Sequence, residues 1–277
     1  MDEAAYVKAA FLKDIATEKL STDLISPEKA ISMLGTMLGG YSVEALVEIL
    51  KIGKFGSAAA EALKSTILVY DAFNEIFDLS KNNEHAKDII HSWAEAEWFK
   101  NKPSLAKEIQ LTVYKVSGET NTDDFSPAKE AWSRPDIPLH AQAFLKFSEN
   151  MESPLEKLEE LKQDGSQLVF VGDVVGTGSS RKSAANSMLW HMGEDIPCVP
   201  AKRTGGFCFG NKIAPIFYNT LQDSGSLPIE LDVDNLDHGK KIILKPYEGQ
   251  VLDADTLDII STFEFKSDVI FDEVQAG

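Results

Sequence analysis

The sequence predicts two domains in series, an all-helical one over residues 1–108 and an α/β one over residues 109–277. Three observations carry this. A chain of 277 residues is long for one hydrophobic core. Up to about residue 108, apolar residues recur at helical spacing between short polar or glycine breaks. At Gln110 the pattern changes to an extended one, QLTVYKVSG, rich in Val, Thr and Tyr, and from there strands and helices intermix. Pro103 and its polar neighbours mark the junction.

In the helical part, Ser26-Pro27 places a polar cap before a proline at the first helical position, and Gly39-Gly40 is expected to stop that helix. Ser42 is expected to open the next, with Leu46, Ile49 and Leu50 on one face and Gly53 at its end. Ser57 opens a third, carrying Ala60, Leu63, Ile67, Leu68, Tyr70 and Phe73. Asn83 caps a fourth, with Ile89, Ile90, Trp93, Glu97 and Trp98. Short breaks imply antiparallel neighbours, and successive helical hairpins without an exact period suit a short HEAT-type solenoid. No chemistry is visible here. His85 and His91 miss the i, i+4 spacing of a helix-borne metal pair and read as surface or packing histidines. Trp93 and Trp98 read as core.

In the second domain the segment TNTDDFSPAKEAWSRPDIP is crowded with Asn, Asp, Ser and Pro and is expected to be a long irregular loop. Ser153-Pro154 starts a helix carrying Leu155, Leu158 and Leu161 and ending at Gly165. Pro197-Cys198-Val199-Pro200 is too proline-bound for a central strand. Lys202 to Gly206 reads as a second glycine-rich, cationic turn that closes over the first one, described next. Phe207-Cys208-Phe209 is a buried strand, and Pro215 starts a helix through Leu221. Strands are expected at Ile229–Val233, Lys241–Lys245 and Ile259–Phe265, then a helix from Ser267 stopped by Gly277.

The first glycine turn is the informative stretch. Leu168 to Val171 is an apolar run, Gly172, Gly176 and Gly178 follow, then Ser179, Ser180, Arg181 and Lys182, then a helical pattern through Ala184, Ala185, Met188 and Leu189. A strand, a tight turn and a helix start make an anion site, because the first helical N–H groups and the dipole favour negative charge. Arg181 adds a fork matched to a carboxylate or phosphate. The phosphate-binding pattern G-x-x-x-x-G-K-S/T fails at Arg181, which also stands where the dinucleotide pattern G-x-G-x-x-G needs its third glycine. The hydrolase elbow G-x-S-x-G fails at Lys182. A structural turn with an N-capping serine competes with the anion site on spacing alone.

Composition excludes several classes. The net charge is −17, which opposes binding of a nucleic-acid backbone by the bulk surface; an anionic substrate would need cations gathered locally, as Arg181, Lys182, Lys202 and Arg203 are expected to be. No apolar run spans a membrane, and MDEAAYVKAAF is no secretory signal. Two cysteines, Cys198 and Cys208, make no disulfide framework and fit a reducing cytoplasm; Cys208 reads as a buried small hydrophobe.

GTGSSRKSAANS resembles the serine–serine–arginine loop of the aconitase superfamily. VGDVVGTGSSRKSA, KRTGGFCFGNKIAPIFYNT, GETNTDDFSPAKEAWSRPDIPLHA, LGTMLGGY and SWAEAEWF are similar to the aconitase B family in particular, and the likeness runs over the whole chain. It implies a HEAT-like domain followed by a swivelling β/β/α domain, and reversible citrate–isocitrate isomerisation through cis-aconitate, with 2-methylisocitrate dehydration as a further activity. By motif position Ser179 is the catalytic base, Ser180 and Arg181 contact substrate, and Arg134, in Trp132-Ser133-Arg134-Pro135-Asp136, binds a further carboxylate. Asp123 is expected to be structural within the site.

The family's 4Fe–4S cluster needs three cysteine thiolates from the protein, and no C-x-x-C pair exists here. The chain is therefore expected to be the N-terminal piece of such an enzyme, inactive without cluster-bearing domains downstream. The resemblance also implies self-association through the helical domain and RNA binding in the iron-free state. Two other readings stand beside it, a small subunit acting in trans and a non-catalytic interaction module.

Overall fold

The computed structural model describes residues 3–37, 39–66, 70–163, 165–197 and 199–276. Ile67, Leu68, Cys198 and Gly277, singled out above, lie outside them. The chain forms two compact units, Met1–Pro103 and Ser104–Gly277. No helix among the described residues is long and apolar enough to cross a membrane.

The first unit holds α1 (Glu3–Ala16), α2 (Pro27–Gly35), α3 (Gly40–Leu50), α4 (Gly56–Lys64), α5 (Tyr70–Leu79), α6 (Glu84–Ala94) and the single turn α7 (Glu97–Lys100). Ser26 caps α2 by accepting from Lys29 N at 3.2 Å, and Asn83 caps α6 by accepting from Ala86 N at 3.1 Å. Gly39 is the N-cap of α3 and not the stop of α2, which ends at Gly35. The Ser42 hydroxyl reaches back to it, accepting from Gly39 N at 3.3 Å. The third expected helix is two helices: α4 stops at Lys64, where the hydroxyls of Ser65 and Thr66 both donate to the Ala62 carbonyl.

Leu12, Ile31, Leu34, Leu46, Ile49, Leu50, Leu63, Ile76 and Ile89 form one buried core. Trp93 packs against it and donates to Leu63 O at 3.1 Å, whereas Trp98 is half-buried beside Phe99 and outside that core.

The second unit is α/β. Its elements are β1 (Ile109–Asn121), α8 (Thr122–Phe125), α9 (Ile137–His140), α10 (Pro154–Lys162), β2 (Leu168–Thr177), α11 (Arg181–Met192), β3 (Glu194–Ile196), β4 (Val199–Thr204), β5 (Phe207–Ile213), α12 (Pro215–Asp223), β6 (Leu227–Glu230), β7 (Lys241–Lys245), β8 (Gln250–Asp253), β9 (Ile259–Thr262) and α13 (Val269–Ala276). Seven strands make a mixed sheet in the order β6-β5-β2-β1-β7-β8-β9. The β6, β5, β2 and β1 strands are parallel, and β7, β8 and β9 extend the sheet antiparallel. Strands β3 and β4 form a separate ribbon, so Val199 and Pro200 sit outside the main sheet.

Alternation along the strands sorts two cores. Tyr114, Val116, Phe170 and Cys208 face α10, α11 and α12, while Val113, Val169, Val171 and Phe209 face the opposite layer with Leu231, Val233 and Ile270. The site follows from register. Because β1 and β2 run parallel with Asn121 opposite Thr177, the segments leaving both carboxyl ends emerge side by side. In open α/β sheets this edge is where ligands bind.

Candidate active site

The turn after β2 has its glycines for packing. Gly176 has φ +81°, and a Cβ there would run into the Phe217 ring. Gly178 has φ +106°, and a Cβ would lie 2.6 Å from Thr122 Oγ1. The second contact presses the turn onto α8 and lets Ser180 N donate to Thr122 Oγ1 at 3.1 Å. The glycine turn is thus fitted to β1's continuation as well as to a helix start.

Ser180 is the N-cap of the twelve-residue α11, yet its hydroxyl makes no cap hydrogen bond. It donates instead to Asp123 Oδ1 at 2.9 Å and accepts from Arg134 Nη2 at 3.1 Å. The simple N-capping serine is therefore not what this turn contains. The helix's first N–H groups and its positive dipole end stay turned toward the opening. Ser179 is exposed and Arg181 half-buried, and among the described residues neither has a hydrogen-bond or ion-pair partner.

The segment expected to be an irregular loop is a chain of short helical turns: α8, a 3-10 turn at Ala128–Ser133, then α9 and a 3-10 turn at Ala141–Ala143. Its polar side chains take over the ends of those turns. Asn121 Oδ1 accepts from Asp123 N at 2.7 Å and Asp124 N at 3.0 Å, and Asp136 caps α9 through Leu139 N at 3.1 Å. Burial raises the Asp124 carboxyl above its ordinary range against the Asn121 N–H that it accepts.

Arg134 follows the first 3-10 turn with φ −53° and ψ −33°, a helical conformation that a following proline disfavours. Bonds from Arg134 N to Ala131 O and from Asp136 N to Ser133 O hold it there. Its guanidinium is half-buried and points at the start of α11. Nε donates to Ser126 Oγ at 3.2 Å, and Nη2 donates to Ser126 O and to Ser180 Oγ, each at 3.1 Å. The structure thus brings Arg134, Asp123 and Ser180 together, with Ser179 and Arg181 adjacent in chain on the same turn.

The cationic turn at Lys202–Gly206 does not close over this site. Lys202, Arg203 and Thr204 belong to β4. Arg203 lies at the far end of α11, donating to the Trp190 carbonyl and to Asp195 Oδ1, with its guanidinium over the Trp190 ring at 4.4 Å. That end of a helix concentrates carbonyl oxygens, which is where a cation is stabilised.

Residues missed by the sequence reading hold the site from behind. Ser126 is buried; its hydroxyl donates to Ser183 Oγ at 2.7 Å and meets His140 Nε2 at 2.8 Å. Ser133 Oγ meets His140 Nδ1 at 2.7 Å. Burial, then the Arg134 charge, hold His140 below the ordinary histidine pKa, which keeps its ring neutral at pH 7. No local pattern announces these contacts, because Ser126 and Ser183 meet only through the β1–β2 pairing.

An iron–sulfur cluster does not fit the residues described here. Cys208 is fully buried with its thiol pKa pushed far up by burial, and among the described residues no three His, Cys, Asp or Glu side chains gather as metal ligands.

Two family profiles match the chain. The one described as "Aconitate hydratase 2 N-terminus" covers residues 111–277, and the one described as "Aconitate B N-terminal domain" covers residues 1–99. Aconitate hydratase B of Escherichia coli is 54% identical over 286 residues, covering 100% of this chain and 33% of the relative. The Pseudomonas aeruginosa protein of the same name is 52% identical over 286 residues, at 100% and 33% coverage. A 3-isopropylmalate dehydratase from Methanocaldococcus jannaschii is a structural neighbour with a TM-score of 0.41 and 17% identity, covering 57% of this chain and 83% of its own. The chain spans about a third of the length of the curated relatives it matches. With one profile matching residues 111–277, more than half of the sequence, the chain belongs to the aconitate hydratase B family.

Proposed function

We propose that this chain supplies the serine loop and carboxylate-binding arginines of an aconitate hydratase that interconverts citrate and isocitrate through cis-aconitate. The observation that carries the reading is the meeting of Arg134 and Ser180 at the amino end of α11. In this reading Arg134, Arg181, the Ser180 hydroxyl and the first N–H groups of α11 bind substrate carboxylates. Ser179 Oγ takes the proton from the substrate carbon and returns it on rehydration. A serine alkoxide is a strong base, and the helix start beside Arg181 supplies the fixed positive environment that lowers its cost. Water is excluded only when the remaining domains close over the exposed Ser179, so this chain alone is expected to bind without turnover.

The finer architecture is part of the same proposal. Packing of α1 on α3, α2 on α4, α3 on α5 and α4 on α6 supports a HEAT-like stacking of helix pairs. The α/β unit is read as the swivelling domain, its partner a cluster-bearing domain that holds the 4Fe–4S group. Self-association and RNA contact are assigned to the helical unit, and the cytoplasm to the whole; methylisocitrate is a second substrate.

The test is a titration of the labelled chain with citrate, followed by NMR. The amide signals of Ser179 to Ser183 and the Arg134 Nε–H signal are expected to move together, with one affinity. Shifts confined to exposed lysines such as Lys202 would refute the assignment.

A further inference from the structure

His140 takes no part in the chemistry above, yet it is 2% exposed and meets a serine hydroxyl at each ring nitrogen. Counting hydrogens fixes its tautomer. The Ser183 hydroxyl donates to Ser180 O at 3.2 Å, so the hydrogen shared between Ser126 and Ser183 at 2.7 Å belongs to Ser126. With its one hydrogen committed there, Ser126 Oγ accepts from His140 Nε2 at 2.8 Å and from Arg134 Nε at 3.2 Å. Both lone pairs and the hydrogen of a buried hydroxyl are then in use. The neutral ring carries its proton on Nε2, and Nδ1 accepts from Ser133.

We propose that His140 is the positioning residue for Arg134. Its Nε2–H orients the Ser126 hydroxyl so that the remaining lone pair receives Arg134 Nε–H, and the edge of the guanidinium is thereby aimed at Ser180. The effect on ligand affinity rests on the reading of Arg134 as a carboxylate-binding residue; the effect on Arg134 itself does not. The Ser126 carbonyl also holds Nη2 at 3.1 Å, so losing His140 loosens the arginine without releasing it.

The experiment uses the whole chain, labelled for NMR, as wild type, His140→Ala and His140→Gln, with Val251→Ala on the opposite face of the sheet as a stability control. In the wild type the His140 nitrogen shifts are expected to report a neutral Nε2–H ring, and the Arg134 Nε–H to exchange slowly. In His140→Ala that signal shifts and exchanges about tenfold faster, while citrate affinity falls about fivefold, the net worth of one neutral hydrogen bond. His140→Gln, whose amide N–H can replace Nε2–H, returns both toward wild type. Val251→Ala lowers stability and leaves the Arg134 signal in place.

An Nδ1–H ring, or an unchanged Arg134 signal in folded His140→Ala, overturns the proposal. Should His140→Ala not fold, the wild-type tautomer decides. If the wild-type chain binds no citrate, the carboxylate reading falls, and the unliganded Nε–H comparison still judges His140.

Discussion

His191 makes the acid stability of the α/β unit a measurable property. It sits near the carboxyl end of α11, 7% exposed, with Nε2–H donating to the Ala141 carbonyl at 2.9 Å and the Phe144 ring against it. Burial drives its pKa from the ordinary 6.5 down to about 4; the Ala141 bond opposes the shift, and the charges of Lys162 and Arg203 reinforce it. Because the unfolded chain takes up the proton near pH 6.5 and the folded one only near 4, this contribution is intact above 6.5. It is lost as pH falls through that window. Each tenfold in proton affinity is about 1.4 kcal/mol, which makes about 3 kcal/mol in all and about 2.5 kcal/mol by pH 4.5. The perturbation is His191→Gln, which keeps an N–H donor for Ala141 and cannot titrate. Urea titrations at pH 7 and 4.5, followed on the amide signals of Val169 to Val171, are expected to show the wild type losing about 2.5 kcal/mol more than the variant. His140 and His238 are also held below the ordinary value and act in both proteins, so the difference isolates His191. Parallel losses in the two proteins would refute the reasoning.

Arg134→Lys keeps a charge but loses the fork, and calorimetry with citrate is expected to show affinity down about tenfold or more, the worth of one charge-assisted hydrogen bond. Ser179→Ala, placed in a protein carrying the rest of the relatives' length, should lower kcat about 10²–10⁴-fold with little change in KM, read from isocitrate formation. Gly176→Ala forces a side chain into a left-handed backbone and the Phe217 ring, so thermal denaturation should report about 2–4 kcal/mol lost. Cys208, fully buried with a raised thiol pKa, should react with a thiol reagent only on unfolding, as mass spectrometry of that peptide can show.

The strand, turn and helix of Leu168 to Met192 were legible because each rests on local pattern: an apolar run, glycines where φ is positive, a helical repeat. The family was legible from whole words of sequence. Arg134 was not legible from its neighbours, since what makes it more than a surface arginine is the Asn121–Thr177 pairing that lays its segment against α11. Ser126 and His140 were missed for the same reason. The short turns between Thr122 and Ala143 hid behind a composition shared by loops and caps, because Asn and Asp serve both. Strand β8, only Gln250–Asp253, lacks the length to show an alternation. Gly39 was read as a stop because glycine also ends helices; the Ser42 hydroxyl three residues on is the local sign that it begins one.

Charge and hydrogen bonding together separate two adjacent serines that the sequence presents as equals. A chain of net charge −17 has to gather cations for an acidic ligand, and Arg203, expected among them, is engaged at the other end of α11. That leaves Arg134, Arg181 and the helix start as the attraction, with Asp123 opposing it. Asp123 is tied to Ser180, whose hydroxyl gives its only hydrogen to that carboxylate while receiving one from Arg134. A hydroxyl whose proton is held by a carboxylate and whose oxygen faces a guanidinium is aligned rather than reactive, and it screens the one negative group at the opening. Ser179, exposed and without a partner among the described residues, has no such commitment. Its proton can leave to solvent and its oxygen can turn to a ligand without breaking a bond in the protein. The division of labour in the proposed reaction, Ser179 moving the proton and Ser180 holding the carboxylate end, follows from that difference in hydrogen bonding.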